Sequence, residues 1–133
     1  MMPISALEKL QAWLSAYPHW NGYPAKICIL PKGLEEISRQ KDVLGNALVS
    51  CRYYATLFWE MESAGDDTEN ARRLLEFQNW VQEQSVLGLA PKFGNVSFEE
   101  RIRTEKGGYT PAAQIVTYTA TLVADFMRVY AVK

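Results

Sequence analysis

The sequence predicts an α+β fold, in which a mostly antiparallel (mixed) sheet of four to five strands carries two main helices on one face. Two long segments, 46–62 and 114–126, alternate apolar and polar residues, and in a strand such residues point to opposite faces. Two others, 5–17 and 66–88, repeat apolar residues at helical spacing. Because strands adjoin one another between the helices, the order favours α+β over a strictly alternating parallel fold.

The totals indicate one domain over residues 1–133, since a chain of this length buries about two-thirds of the surface that its unfolded form exposes. Fourteen Lys and Arg against fifteen Asp and Glu give a formal charge of −1, which provides no general field for nucleic acid or an anionic membrane. The first residues reach Glu8 and Lys9 before any sustained apolar run, unlike a secretory signal or membrane anchor. We therefore expect a cytoplasmic protein without a membrane partner or a specific nucleic-acid partner.

The first helix is predicted to begin at Ser5, because Ser5 and Glu8 have the spacing of a capping box. The helix should end before Pro18, which cannot continue it. Its apolar stripe consists of Leu7, Leu10, Trp13, Leu14 and Tyr17.

The strands of the first half are predicted at 25–30, stopping at Pro31, and at 46–62. Between them, residues 32–46 are charged and broken by glycine, and hold either a short helical turn or the start of another strand. Tyr54 and Phe58 interrupt the polar face of the 46–62 strand, so we expect something to cover them.

The second helix is predicted after a turn, with Asp66 or Asp67 as its cap and Gly88 as its stop. Acidic residues near its start suit the positive end of the helix dipole. Its buried stripe is predicted to contain Ala71, Leu74, Leu75, Phe77, Trp80 and Val81.

The last two strands are predicted at 98–106 and 114–126. The first has one highly charged face, and the second has apolar residues at even positions and mostly threonine at odd ones. Residues 107–113, GGYTPAA, make a longer connection than a two-residue hairpin needs, which predicts a projecting arm.

No catalytic, cofactor-binding or metal-binding residue is predicted. His19 stands in an aromatic turn without a triad or zinc motif, which favours a structural or surface role. Cys28 and Cys51 lack metal or redox spacing, which favours buried reduced thiols. Helix capping explains the acidic residues at 66–69 without a cation, and 106–108 lacks the glycine placement of a phosphate-binding loop.

One alternative is a small ligand-binding or catalytic α+β domain with an aromatic pocket. Its walls would be Tyr53, Tyr54, Phe58 and Trp59, with convergent polar groups such as Arg52, Tyr54 and Glu60. Aromatic strand positions usually fill a core or an interface, so core filling is favoured.

The chain resembles the small minor capsid and tail-terminator-like proteins of long-tailed bacteriophages and prophages. The likeness covers nearly the whole chain and rests on length and element order. It is carried by ISALEKLQAWL, ALVSCRYYATLFWEME, ENARRLLEFQNWVQEQ and FEERIRTEKGGYTPAAQIVTYTATLVADFMRVY.

The resemblance implies a structural protein and not an enzyme. Members of that family form a ring, typically of six α+β subunits, at the head-proximal end of the tail tube. The ring halts tube polymerisation and presents a surface to the head-completion protein. The implied partners are therefore copies of the chain, the tail-tube protein and the head-completion protein, first in the host cytoplasm and then at the head–tail junction of the virion. The alternative within the same virion is another head–tail adaptor.

Interface residues are predicted from the pattern and not from the resemblance. Strands that outrun a one-domain core leave ladder groups for a neighbour, and a ring contact must close instead of propagating. The predicted interface contains Tyr54, Phe58, Glu99, Arg101, Arg103, Glu105, Lys106, Gly107, Gly108 and Tyr109.

Overall fold

The structure is a computed structural model and describes residues 2–18, 27–63, 65–95 and 100–131, with side chains from residue 7 onward. Its elements are α1 (Met2–Leu14), β1 (Cys28–Lys41), β2 (Ala47–Glu62), α2 (Asp67–Val86), β3 (Arg101–Ala112) and β4 (Ile115–Tyr130). The strands form one sheet in the order β1-β2-β4-β3, and every neighbouring pair is antiparallel. The predicted α+β fold with four strands and two helices is confirmed.

The alternation predicted in β2 and β4 is confirmed, and it separates the two faces of the sheet. We call the face beneath the helices the covered face and the opposite one the open face. Trp59 of β2 stacks on Tyr118 of β4, with ring centroids 5.2 Å apart, and Phe77 of α2 lies 4.8 Å from the Trp59 ring. The buried covered-face residues of these strands are Val49, Cys51, Ala55, Leu57, Trp59, Met61, Val116, Tyr118, Ala120, Leu122, Ala124 and Phe126.

The first strand is longer than predicted and does not stop at Pro31. β1 continues to Lys41, and bulges after Pro31 and Glu36 absorb its irregularities. Proline lacks an N–H donor, but β1 is an edge strand and one of its sides needs none. Because β1 lies at the edge, Cys28 is exposed, contrary to prediction, whereas Cys51 is buried as predicted.

The turn between β1 and β2 is held by a single carboxylate. Asp42 accepts hydrogen bonds from the backbone N–H of Leu44 at 2.9 Å, from that of Asn46 at 2.9 Å and from the Asn46 side chain at 3.0 Å. Gly45 takes a positive φ of 87°, which glycine adopts without strain. The segment 32–46 is thus the second half of an edge strand followed by a tight turn.

The projecting arm predicted at 107–113 is wrong. Residues 107–112 complete β3, and Gly108 to Ala112 pair with β4 before a turn at 113–114. Gly107 lies in β3 next to α2, where a Cβ would lie 2.6 Å from the end of the Gln78 side chain. A bulge between Glu105 and Gly108 accommodates the irregularity.

The cap and stop predicted for α2 are confirmed. The Asp66 side chain accepts from the Glu69 N–H at 2.7 Å, and Gly88, with φ of 72°, follows the helix end. The buried stripe differs from the prediction at its margins. Leu75 is 56% exposed and Asn70 is buried, because the stripe begins one residue earlier than Ala71.

The first helix packs against the second through aromatic rings. Trp13 stacks on Trp80 with centroids 5.0 Å apart, and its indole N–H donates to the Gln84 side-chain oxygen at 3.0 Å. Leu10 and Leu14 are buried as predicted. The predicted helix start at Ser5 is wrong, because α1 begins at Met2 and Ser5 lies within its first turns. His19 lies outside the described residues.

The segment 93–95 covers the end of β4 that extends beyond β3. The buried Glu100 carboxylate accepts from the N–H groups of Phe93 at 2.8 Å and Gly94 at 3.0 Å. The Asn95 amide accepts from Val129 N–H at 2.9 Å and donates to its carbonyl at 3.0 Å. A Cβ on Gly94 would lie 2.4 Å from the Met127 carbonyl oxygen, so only glycine fits this approach.

Alkaline pH should destabilise the fold through Tyr17. Burial raises the pKa of the Tyr17 hydroxyl to about 12, and Glu76 adds to the effect. A tyrosine of the unfolded chain ionises near pH 10, so the stability from neutral Tyr17 is complete below pH 10 and is lost as pH rises to about 12. Chemical unfolding at a series of pH values across this window should show a steep loss of the free energy of unfolding. The loss should be smaller in Tyr17→Phe. An unchanged slope in that variant would contradict the assignment.

Candidate functional site

A row of alternating charges crosses the open face of the sheet. Glu35, Arg52, Asp125 and Arg101 stand directly opposite one another, one on each strand. We call these four residues the charged row. Its signs alternate from a carboxylate on the β1 edge to a guanidinium on the β3 edge.

Asp125 is the centre of the ion pairs on this face. Arg52 Nε lies 2.6 Å from one Asp125 carboxylate oxygen, and Arg103 Nη1 lies 2.7 Å from the other. Arg103 also pairs with Glu105 at 3.0 Å. The hydrogen bond to Asp125 raises the pKa of the Arg52 guanidinium above its usual range. These groups are partly solvated, so the pairs fix side-chain positions more than they stabilise the fold.

The two aromatic residues predicted at the interface lie on the same face. The Tyr54 hydroxyl donates to the Glu35 carboxylate at 3.1 Å, and Phe58 is half-buried. Val123, opposite Tyr54, is fully buried although no helix covers it. The open face is therefore a mixed surface with an apolar centre and charged neighbours.

The predicted interface residues fall into two groups. Those on the open face are Tyr54, Phe58, Arg101, Arg103, Glu105 and Gly108. Gly107 lies beneath α2, and the Tyr109 hydroxyl donates to the Asp67 carbonyl at 3.2 Å, so both contact the helix. Lys106 is exposed at the bulge, and Glu99 lies outside the described residues.

The β1–β2 hairpin is the feature that the sequence patterns missed. From Leu30 to Lys41 both faces of β1 are exposed. Three apolar side chains lie on this stretch and two more on the turn, namely Leu30, Leu34, Ile37, Val43 and Leu44, exposed by 44, 55, 47, 101 and 77%. Leu30 pairs with Thr56 on the open face and Leu34 with Tyr53 on the covered face, so exposed apolar groups on both faces of the hairpin are available to another protein. Proline and glycine interrupt the apolar–polar alternation of β1, so the sequence pattern does not predict its full length.

A groove lies beside the opposite edge of the sheet. It has a volume of about 750 Å³ and runs between α2 and β3. Gln78, Asn79 and Gln82 contribute amide side chains to its wall. The Ile102 N–H donates to the Ser85 hydroxyl at 3.1 Å, so this backbone position points into the groove and not toward β4.

The aromatic residues proposed for a ligand pocket do not share one cavity. Tyr53 and Trp59 are on the covered face, whereas Tyr54 and Phe58 are on the open face. Glu60 is eight residues from Arg52 along the strand, which corresponds to about 26 Å. The polar groups named for that alternative therefore do not converge.

Comparison of the chain with protein-family models, curated proteins and solved structures found no match in any of the three. Function is therefore inferred from the geometry of the sheet and from the order of elements. Within the described ranges, no helix combines the length and apolarity needed to cross a membrane. The same ranges contain no group of three or more His, Cys, Asp or Glu placed to hold a metal ion.

Proposed function

We propose that the chain is a structural subunit of virion assembly in a long-tailed bacteriophage or prophage. Copies of it form a closed ring at the head–tail junction, where the ring caps the tail tube and joins it to the head. The resemblance in element order supports the phage context. The exposed β1–β2 hairpin is the observation that supports self-assembly.

The hairpin supports assembly because β1 is paired on one side only and is exposed on both faces over most of its length. Contact with a second copy would remove Leu34, Ile37 and their apolar neighbours from water and gain roughly 25 cal/mol for each Å² of apolar surface buried.

The geometry of the sheet suits a ring better than a two-fold dimer. Its two edges differ, since β1 has apolar residues and is open on both sides whereas β3 is flanked by α2 and a groove. Contacts between unlike surfaces are head-to-tail, and they form a ring when successive rotations between neighbours add up to a full turn without translation along the axis. A ring of this kind presents one end to the tail tube and the other to the head-completion protein.

Native mass spectrometry should detect a closed oligomer, with six copies expected. Addition of the protein to polymerising tail-tube subunits should shorten the tubes, which distinguishes a terminator from another head–tail adaptor. Leu34→Glu should abolish both effects by placing a charge on the β1 surface. Leu87→Glu is the matched control, because Leu34 and Leu87 are 55% and 61% exposed and Leu87 lies at the end of α2, outside the groove lining.

Two results would contradict the proposed function. One is a protein that stays monomeric at high concentration and also in the presence of tube subunits. The other is an equal effect of the two leucine variants, which would separate assembly from the hairpin.

A further inference from the structure

The two outer strands of the sheet carry opposite charges at the same level. The charged row begins with Glu35 on β1 and ends with Arg101 on β3, and each is exposed. Among the described residues no carboxylate forms an ion pair with Arg101, because Asp125 is held by Arg52 and Arg103. A second copy placed beside the first would continue the alternation, with its Glu35 next to Arg101.

Strand polarity permits this continuation. Because each neighbouring pair in the order β1-β2-β4-β3 is antiparallel, β1 and β3 run in opposite directions. When copies are related by rotation about an axis along the strands, β3 of one copy meets β1 of the next in the antiparallel sense. Such a pair forms the same ladder as those inside the subunit.

Bulges divide each edge strand into short regular stretches. On β1 the register shifts between Pro31 and Gly33 and again between Glu36 and Ser38, which leaves a regular stretch around Glu35. On β3 the stretch at the level of Glu35 runs from Arg101 to Glu105, and the bulge after Glu105 separates it from a second stretch, Gly108 to Ala112. Bulges and edge charges discourage indiscriminate pairing of sheet edges, so a partner must match both the regular stretch and its charge.

The groove beside β3 leaves room for an incoming strand. Its volume of about 750 Å³ accommodates several extended residues, and it lies along Arg101 to Thr104. Since alternate residues of a strand direct their backbone groups to the same side, Thr104 faces the groove together with Ile102, whose N–H would exchange the Ser85 hydroxyl for a carbonyl of the added strand. The amide side chains of Gln78 and Gln82 line the wall and can bond an added backbone.

We propose that β1 of one copy adds to the β3 edge of the next, with Glu35 of one copy against Arg101 of the other. The sheet then continues from subunit to subunit around the ring. This inference rests on the proposed self-assembly and specifies which edges meet. The second copy is recognised by backbone pairing along the regular stretches and by the alternating charges on the open face.

Charge reversal tests the contact. Arg101→Glu and Glu35→Arg each place like charges at the junction, and each should raise the concentration at half-assembly at least about tenfold. Circular dichroism and thermal unfolding establish that each variant folds. If a charge-reversal variant does not fold, the neutral variant Arg101→Gln or Glu35→Gln is used in its place. The concentration at half-assembly should then rise by a smaller factor. Lys92→Glu and Glu83→Arg are the matched controls away from both edges, and they should assemble like the unmodified protein.

Mixing the two reversed variants gives the sharpest result. In a ring that alternates the two variants, one kind of junction joins the introduced carboxylate to the introduced guanidinium. The other kind joins the unmodified Arg101 to the unmodified Glu35, so such rings should form again. The neighbours within each chain stay as they were in the separate variants, and recovery therefore reports only the contact between copies. A two-fold contact between β1 edges would not pair these charges.

The possible failures are distinguishable. If the unmodified protein forms rings and the folded reversed variants do so equally well, or if the mixture does not recover, the edge assignment is overturned and the ring remains. If the unmodified protein forms no ring with or without tube subunits, both proposals are overturned.

Discussion

Replacing Phe77 with alanine is expected to lower the free energy of unfolding by about 3–5 kcal/mol. The Phe77 ring is fully buried and lies 4.8 Å from the Trp59 centroid and 5.3 Å from that of Tyr17. Truncation would remove its apolar surface from the core and leave a cavity between α2 and the sheet that rigid aromatic neighbours cannot fill. Urea unfolding with linear extrapolation measures the change.

Leu75→Ala is the control for this truncation, since it removes a large apolar side chain from the same helix two residues away. Leu75 is 56% exposed, so its loss should change the free energy of unfolding by no more than about 0.5 kcal/mol. Losses of similar size in the two variants would contradict the orientation of α2. They would favour the stripe that the sequence predicted, in which Leu75 is buried.

Replacing Glu100 with alanine is expected to lower the free energy of unfolding by about 2–4 kcal/mol. The buried carboxylate accepts from the backbone N–H groups of Phe93 and Gly94, and both donors would lose their partner. The segment 93–95 should then detach, and it would release the Asn95 amide from Val129. Compared with the unmodified protein, the variant should show a larger increase in amide hydrogen exchange at the end of β4 than at its centre.

Graded variants separate the hydrogen bonds from the charge. Glu100→Gln keeps the shape and one acceptor oxygen but places an amide donor toward one N–H, so its loss should be smaller than that of Glu100→Ala. Glu83→Ala removes an exposed carboxylate from α2 and should have little effect. Equal stability of Glu100→Ala and Glu83→Ala would contradict the role of Glu100.

The elements predicted correctly from sequence are those whose residue pattern depends on one buried face or on the local backbone. In β2 and β4 one face packs under helices, so apolar residues alternate strictly and identify the strand. The Asp66 cap and the Gly88 stop depend on local backbone needs and were equally visible. The predicted β1 stops at Pro31, because an edge strand without a buried face shows no alternation of apolar and polar residues.

The segment 107–112 shows a second limit of sequence patterns. The sequence predicts Gly107 in a loop, yet it lies in β3 next to the Gln78 side chain of α2. Contact between elements distant in the sequence determines such a position, and no local pattern records it. The charged row was missed for the same reason. Arg101 was predicted at an interface, but its level with Glu35 depends on the register of three strand pairs.

The Asp42 network has a consequence for how tightly the tip of the β1–β2 hairpin can bind. Three hydrogen bonds hold this turn in one shape, while Val43 and Leu44 remain in contact with water. A flexible tip would lose conformational entropy upon docking, and this loss would weaken the complex. Here most of that entropy has already been given up during folding, so two aliphatic side chains are preorganised for a complementary hollow.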